Sequence, residues 1–305
     1  MSKIKNTLKK IGVVRYIYYK YNFSDKKFIK KYYKKRVGKE VNLKNPTEFS
    51  DKLQWLKLYW HNSSAKICAD KYEVRNMVDK KIGSEFLNEL YDVYNSVEEI
   101  NLNKLPNSFI LKATHSSGYN FVCKDKNAVD WKAQFKELRK WFKVNYFWNT
   151  REWVYKNIKP RIICERFLSE GEGETSLTDY KIYCFNGTPR YCQVIRDRGS
   201  EGSEGTIDFF DTEWNHMEFT GLQRLPHSTV TIQEPDRYGE MLELAKKLSQ
   251  EFPFVRVDLY YVNGKIYFGE LTFFPQSGFG TFDPPEWNRK IGDLIRLPDN
   301  PRLKV

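Results

Sequence analysis

Two carboxylates, Asp258 and Glu270, sit in the stretch VRVDLYYVNGKIYFGELT (residues 255–272), one on each side of Asn263-Gly264. Apolar and polar residues alternating around an Asn-Gly pair predict a β-hairpin. Carboxylates on adjacent strands suit a hard divalent cation. Mg2+, or Mn2+ with the same oxygen donors, takes one or two protein carboxylates and keeps its other positions for water and phosphate. Whether the two acids share a face depends on register. With a two-residue turn Val262 pairs with Lys265, Asp258 opposes Gly269 and Glu270 opposes Val257, which sends the acids to opposite faces. A three-residue loop, Val262-Asn263-Gly264 with Gly264 as a bulge, puts Arg256, Asp258, Glu270 and Thr272 on one face. Val255, Val257, Leu259 and Leu271 then share the other. That clean division predicts the bulged turn. The competing reading of the same residues is a cross-strand Arg256–Glu270 ion pair with Asp258 at its rim.

A second set lies in SFILKATHSSGYNFVCK, where Lys112 ends an apolar strand and a small-residue loop over 114–118 follows. Backbone N–H groups of such a loop, with Ser116, Ser117 and Gly118, can cradle phosphate oxygens while the lysine supplies charge. The order GxxxxGK[ST] is absent, so this is no Walker A loop. A third set is RIICERFLSEGEGE, a strand carrying Glu165 near its end, followed by an acidic Gly-rich loop.

The elements that must position these residues follow from pattern. Asn45-Pro46-Thr47 starts a helix through Leu53, Leu56 and Trp60, and a second covers CADKYEVRNMVDKKI up to Gly83. From about residue 107 short apolar runs read as strands: SFILKAT, NFVCK, RIICERFL, the Asn186-Gly187 hairpin DYKIYCFNGTPRYCQVIRD, and the opening hairpin. Helical stretches intervene at 129–145 and 235–251. The expected fold class is α+β with antiparallel hairpins behind a small helical N-terminal region.

With 305 residues, 40% hydrophobic, the chain can bury a substantial core of about two domains. No apolar run reaches membrane-spanning length and no secretory signal is visible, so a cytoplasmic protein is expected. The five cysteines form no CxxC pair and read as reduced structural thiols; the four histidines are scattered. Net charge is +12, and residues 1–39 hold 14 Lys/Arg against the single acid Asp25, so the rest of the chain is close to neutral. This arm interleaves Tyr, Phe and Ile with lysine, which suits an anionic membrane surface, where each basic residue contributes roughly 1 kcal/mol. Nucleic acid attracts the same charge, but no recognised motif accompanies it and none is expected as a partner.

The order of the three sets resembles the ATP-grasp superfamily: Lys112 with the 114–118 loop, then Glu165-Arg166-Phe167-Leu168, then Asp258, then Glu270-Leu271-Thr272. More narrowly, NPTEFSDKLQWLKLY, ADKYEVRNMV, LKATHSSGYN, DYKIYCFNGTPRYCQVIRDR, FFDTEWN and FVRVDLYYVNGKIYFGELTFFPQSG are similar to the teichuronopeptide and capsular polysaccharide (TupA-like) branch. The resemblance implies an ATP-grasp fold, two α+β subdomains sandwiching ATP. The organisation it suggests is a basic arm over 1–40, a mainly helical region over 41–106, a lysine and Gly-loop subdomain over 107–175, and a metal-binding subdomain over 176–305.

It also implies roles. Lys112, Ser116, Ser117 and Gly118 would meet the ATP phosphates. Glu165, Arg166, Phe167 and Leu168 would meet the adenosine, and Lys181 would be a second nucleotide-side cation. Arg196 or Arg198, with Arg256, would stabilise the transferring phosphoryl group. Asp258, Glu270 and Thr272 would bind Mg2+. Thr272 departs from the family pattern, which has Asn there, and a hydroxyl has less reach than an amide. The implied reaction is ATP-dependent ligation through an acyl phosphate, joining an amine or amino acid to a uronic acid of a surface saccharide, a lipid-linked one at the inner membrane face included. The alternatives are a glycosyltransferase, although no DxD triplet occurs, and a non-catalytic saccharide-binding protein. The tryptophan-rich WFKVNYFWNTREW, with Trp148, Arg151 and Glu152, is a candidate for shaping the acceptor site.

Overall fold

The computed structural model describes residues 24–169, 177–196, 205–222 and 225–299. Its helices are α1 (Asp25–Val37), α2 (Phe49–Tyr59), α3 (Ser63–Ala69), α4 (Val74–Ile82), α5 (Trp131–Trp141), α6 (Phe147–Thr150), α7 (Tyr238–Ser249) and α8 (Trp287–Asp293). The strands are β1 (Leu90–Tyr94), β2 (Phe109–Ala113), β3 (Asn120–Cys123), β4 (Ile162–Arg166), β5 (Asp179–Phe185), β6 (Thr188–Arg196), β7 (Thr206–Phe210), β8 (Thr220–Gly221), β9 (Phe254–Val262), β10 (Lys265–Thr272) and β11 (Phe282–Asp283). They form two compact units. One gathers the chain up to Glu40, Ala69–Tyr72 and Glu89–Phe167; the other holds Val41–Cys68, Glu73–Asn88 and the chain from Leu168 onward.

In the first unit an antiparallel sheet runs in the order β1-β4-β2-β3. Phe109, Leu111, Ala113, Ile162 and Cys164 alternate onto one face and pack with Leu138 and Trp141 of α5. Asp130 caps α5 by accepting the Ala133 N–H. Ser24 caps α1 in the same way, and Gly38, at φ 86°, ends it by bonding back to the Lys34 carbonyl. The helix expected over CADKYEVRNMVDKKI is two helices, α3 and α4. The Asp70 carboxylate accepts the Tyr72 N–H at 2.9 Å, and this local turn competes with helix continuation.

The second unit is built on an antiparallel sheet in the order β10-β9-β5-β6-β7. The registers pair Asp258 with Lys181, Lys181 with Gln193 and Gln193 with Phe209, so these residues share one face. Leu259, Tyr180, Val194 and Asp208 share the other, on which Cys184 Sγ reaches the Ala245 carbonyl of α7. Beside the polar row, Tyr183, Phe209 and Phe254 join Phe49 of α2, Phe219 and Phe282 in an aromatic core.

The opening hairpin departs from expectation in its turn. Val262 pairs with Lys265, and Asn263 and Gly264 both have positive φ (50° and 77°), the pattern of a two-residue type I′ turn. The bulge lies deeper, at Gly269: Phe268 pairs with Leu259, and Glu270 pairs with Asp258. The tight turn wins because Asn-Gly adopts the left-handed region readily and its twist matches the strands. The extra residue is absorbed where no side chain fits. A Cβ on Gly269 would lie 3.0 Å from both the Asp258 carbonyl oxygen and a Tyr260 ring carbon. The carboxylates therefore still share a face, directly opposed, although the bulge is not at Gly264. The β5–β6 hairpin follows the same plan, with Asn186 and Gly187 in the turn and a register shift around Arg190.

Candidate functional site

The face shared by Asp258 and Glu270 carries a connected set of charges. Arg256 grips Asp258 with two bonds, Nε to Oδ1 and Nη2 to Oδ2, each 2.6 Å. Lys181 Nζ lies 2.8 Å from Asp258 Oδ2 and 3.1 Å from Asp179 Oδ1. Arg256 Nη2 also donates to Thr272 Oγ1 at 3.1 Å, the Thr272 hydroxyl donates to Glu270 Oε1 at 2.9 Å, and Arg256 lies 3.6 Å from Glu270. Asp258 is 2% exposed, and such burial is tolerated because fixed cations hold it. Burial alone would lower the Arg256 pKa, but Asp258, Tyr183 and Glu270 outweigh it and raise it. The bidentate pair on Asp258, not an Arg256–Glu270 pair, is the main ion pair.

The donor set fits Mg2+. A carboxylate offers roughly four acceptor positions, and three on Asp258 are filled by Arg256 and Lys181. Directly opposite, the Glu270 side chain is 34% exposed. Two carboxylates and a hydroxyl on one face form a hard-oxygen set. Thr272 bridges Glu270 and Arg256, so its hydroxyl also orients the acid. Arg196 is not brought to this face: it ends β6 opposite Thr206, and alternation puts it on the side of Val194 and Asp208. Arg198 lies outside the described residues.

Lys112 and Glu165 meet in the first unit, with Nζ 2.8 Å from Oε2. They come from adjacent strands β2 and β4, on the face turned away from the core under α5. The loop after Lys112 is tied down: Lys71 Nζ donates to the Ser116 carbonyl at 2.7 Å, and the Thr114 N–H reaches the Arg161 carbonyl. Gly118 has φ 81° and is exposed, and Ser117 is half-buried. The hydroxyls of Thr114 and Ser116 are buried with no partner among the described residues, donors suited to an anionic oxygen. Arg166 bonds through its N–H to the Glu89 carbonyl, and Phe167 and Leu168 follow β4 half-buried.

Sequence reasoning missed Asp179, the second carboxylate on Lys181. Its position two residues before Lys181 on one strand was the available signal. It also missed Gln193, which accepts the Tyr183 hydroxyl at 3.1 Å on the same face. Arg151, a candidate for the acceptor site, is fully buried, stacked on the rings of Phe28 and Trp148 and 3.1 Å from Asp25. All five cysteines are free and buried, and burial pushes the thiols of Cys68, Cys164 and Cys184 up to about 12.

Residues 51–296 match the protein family described as TupA-like ATPgrasp. The chain belongs to that family. No curated protein matches it. Among solved structures it is similar to D-alanine–D-alanine ligase from Bacillus anthracis complexed with ATP, at 15% identity and a TM-score of 0.40, over 68% of this chain and 55% of that one. It is similar to the ATP-grasp ligase PsnB complexed with minimal precursor, Mg and ADP, at 13% identity and 0.39, over 73% and 57%. It is similar to D-alanine–D-alanine ligase from Helicobacter pylori, at 14% identity and 0.41, over 84% and 68%. The chain thus spans little more than half the length of the first two. No helix among the described residues is long and apolar enough to cross a membrane.

Proposed function

We propose that this TupA-like ATP-grasp protein is an ATP- and Mg2+-dependent carboxylate–amine ligase. The observation that carries the reading is the Gly269 bulge, which opposes Glu270 to Asp258 on a face already holding Arg256 and Lys181. Asp258 and Glu270 would hold Mg2+, which when bound neutralises phosphate oxygens. Lys112 and the 114–118 loop would take the ATP phosphates, Glu165 the nucleoside, and Arg256 would hold Asp258 in place while adding positive charge. A substrate carboxylate oxygen attacks the γ-phosphorus and the bond to ADP breaks. The amine nitrogen then attacks the acyl phosphate carbon, inorganic phosphate leaves, and the nitrogen gives up a proton as the amide forms. Such chemistry needs positioning and charge neutralisation, which explains a site of cations and carboxylates.

The substrates we infer are a uronic acid of a capsular or other surface saccharide and an amino acid or amine. The exposed lysines of α1 (Lys26, Lys27, Lys30, Lys31, Lys35) favour attachment to anionic lipid. The apolar side of that helix, Phe28, Ile29 and Tyr33, is buried in the protein, so the attachment would be electrostatic and weakened by salt. The test is ADP release on adding a glucuronate- or galacturonate-containing glycan together with a panel of amines. Release requiring both substrates supports the reading. UDP release from a nucleotide sugar would overturn it in favour of a glycosyltransferase.

A further inference from the structure

On the opposite face of the same sheet Asp208 is buried, at 1% exposure, and no Lys or Arg pairs with it among the described residues. Two imidazoles converge on one of its oxygens instead: His216 Nε2 lies 2.8 Å and His227 Nδ1 3.1 Å from Oδ1. The other oxygen, Oδ2, accepts the Ser228 backbone N–H at 3.0 Å. The three ligand atoms all lie within 4.8 Å of one another. His216 is exposed and His227 half-buried, so an ion and its waters can reach the cluster from solvent.

The fold builds this convergence from three separate segments. Asp208 is on the edge strand β7. The turn after β7 brings His216 back against Phe210, fixed by the Met217 N–H on the Phe209 carbonyl and by Asp211, whose carboxylate accepts the Glu213 and Asn215 N–H groups. His227 is held alongside by the Ile207 N–H on the Pro226 carbonyl. Trp214, stacked on Phe210 and donating to the Ile232 carbonyl, fastens the turn from behind.

We propose that Asp208, His216 and His227 form a site for a divalent transition metal, with zinc the occupant their chemistry favours. Two imidazole nitrogens and one carboxylate oxygen suit zinc, cobalt or nickel and disfavour magnesium, which prefers oxygen throughout. Zinc takes such ligands at about 2.0–2.2 Å, so a small outward movement of the two rings from their present hydrogen-bond distances admits it. The Ser228 N–H orients the carboxylate, as outer partners of metal ligands commonly do. A divalent ion would neutralise the buried carboxylate, which no Lys or Arg among the described residues offsets. A bound ion would pin β7, the turn after it and the segment around His227 to one another. The site is independent of the ligase reading, being on the other face of the sheet from Asp258.

The test uses the full untagged chain, stripped with a chelator, in the absence of ATP. Cobalt titration should give visible d–d bands saturating at one ion per chain, zinc should displace the cobalt, and millimolar magnesium should not. Zinc should raise the melting temperature. His216→Ala and His227→Ala should each weaken binding by roughly tenfold or more, and the double variant should abolish both the bands and the zinc-dependent rise. His216→Gln, closer in shape, provides a second variant if an alanine variant proves unfolded by circular dichroism. Absence of stoichiometric binding in the wild-type chain would overturn the proposal, leaving a hydrogen-bonded Asp–His pair. Binding that survives in a folded double variant, or displacement by magnesium, would overturn it equally.

Discussion

One five-stranded sheet buries Asp258 and Asp179 on one face and Asp208 on the other, and Asp258 and Asp208 have opposite company. Asp258 is gripped by Arg256 and Lys181 and faces a second carboxylate. Asp208 is met by two imidazoles and a backbone N–H. Each must offset a similar loss of hydration, so burial alone does not separate them. The partners do. Fixed cations beside a carboxylate pair suit phosphate chemistry, whereas imidazoles suit a softer metal or a hydrogen-bonded strut.

Substitution at each aspartate breaks the comparison in its own way, and the largest effect is expected at Asp258. Asp258→Asn should lower ADP-forming turnover by about a thousandfold or more, in line with losing a phosphoryl-transfer group. It should also destabilise the fold by about 3–5 kcal/mol in urea titration, because Arg256 and Lys181 keep buried charge without their partner. Glu270→Gln should separate the two consequences: turnover falls by about a hundredfold, while the urea midpoint barely moves, since this side chain is partly exposed. Equal loss of stability in both variants would mean the pair is structural.

Asp208→Asn should cost about 1–3 kcal/mol of stability through the disrupted bonds to His216, His227 and Ser228, with turnover per folded molecule unchanged. A loss of turnover comparable to that of Asp258→Asn would remove the distinction between the two faces.

The smallest effect concerns pH and belongs to the lysine loop of the first unit. Burial holds the His115 imidazole below its ordinary 6.5, although its Nε2 donates to the Trp141 carbonyl at 2.9 Å. Above 6.5 neither folded nor unfolded chain carries this proton. As pH falls through 6.5 the unfolded chain takes it up first, so stability declines until the lower folded-state value is passed. Urea titrations across this range should show a shallower decline in His115→Gln.

The sequence made the Asp258 face legible because strand alternation and the Asn-Gly pair confine the register to few choices. The choice of turn was wrong and the shared face right, since Gly269 absorbed the residue that Gly264 was expected to absorb. The Asn-Gly pair favours the tight turn at Gly264, but no local pattern marks Gly269 as the glycine that takes the bulge. The difference lies in the backbone of Asp258 and the ring of Tyr260 crowding one of them. The Lys112–Glu165 pair was legible as two members of one ordered set, although their ion pair is a product of β2 lying beside β4. Asp208, His216 and His227 were not legible: they sit on a strand, a turn and a loop with no motif spacing, and only tertiary folding unites them. Asp70 shows the remaining kind of miss, where one side chain bonding to the backbone divided a helix that composition alone would continue.

The ligase account rests on a substrate carboxylate attacking ATP, and isotope transfer tests that step most directly. A uronate substrate labelled with 18O in its carboxylate would be turned over with ATP, Mg2+ and amine, and the released phosphate analysed by mass spectrometry. The account predicts one 18O in each inorganic phosphate formed, with ADP and amide in equal amount. Unlabelled phosphate, or AMP and pyrophosphate as products, would contradict it.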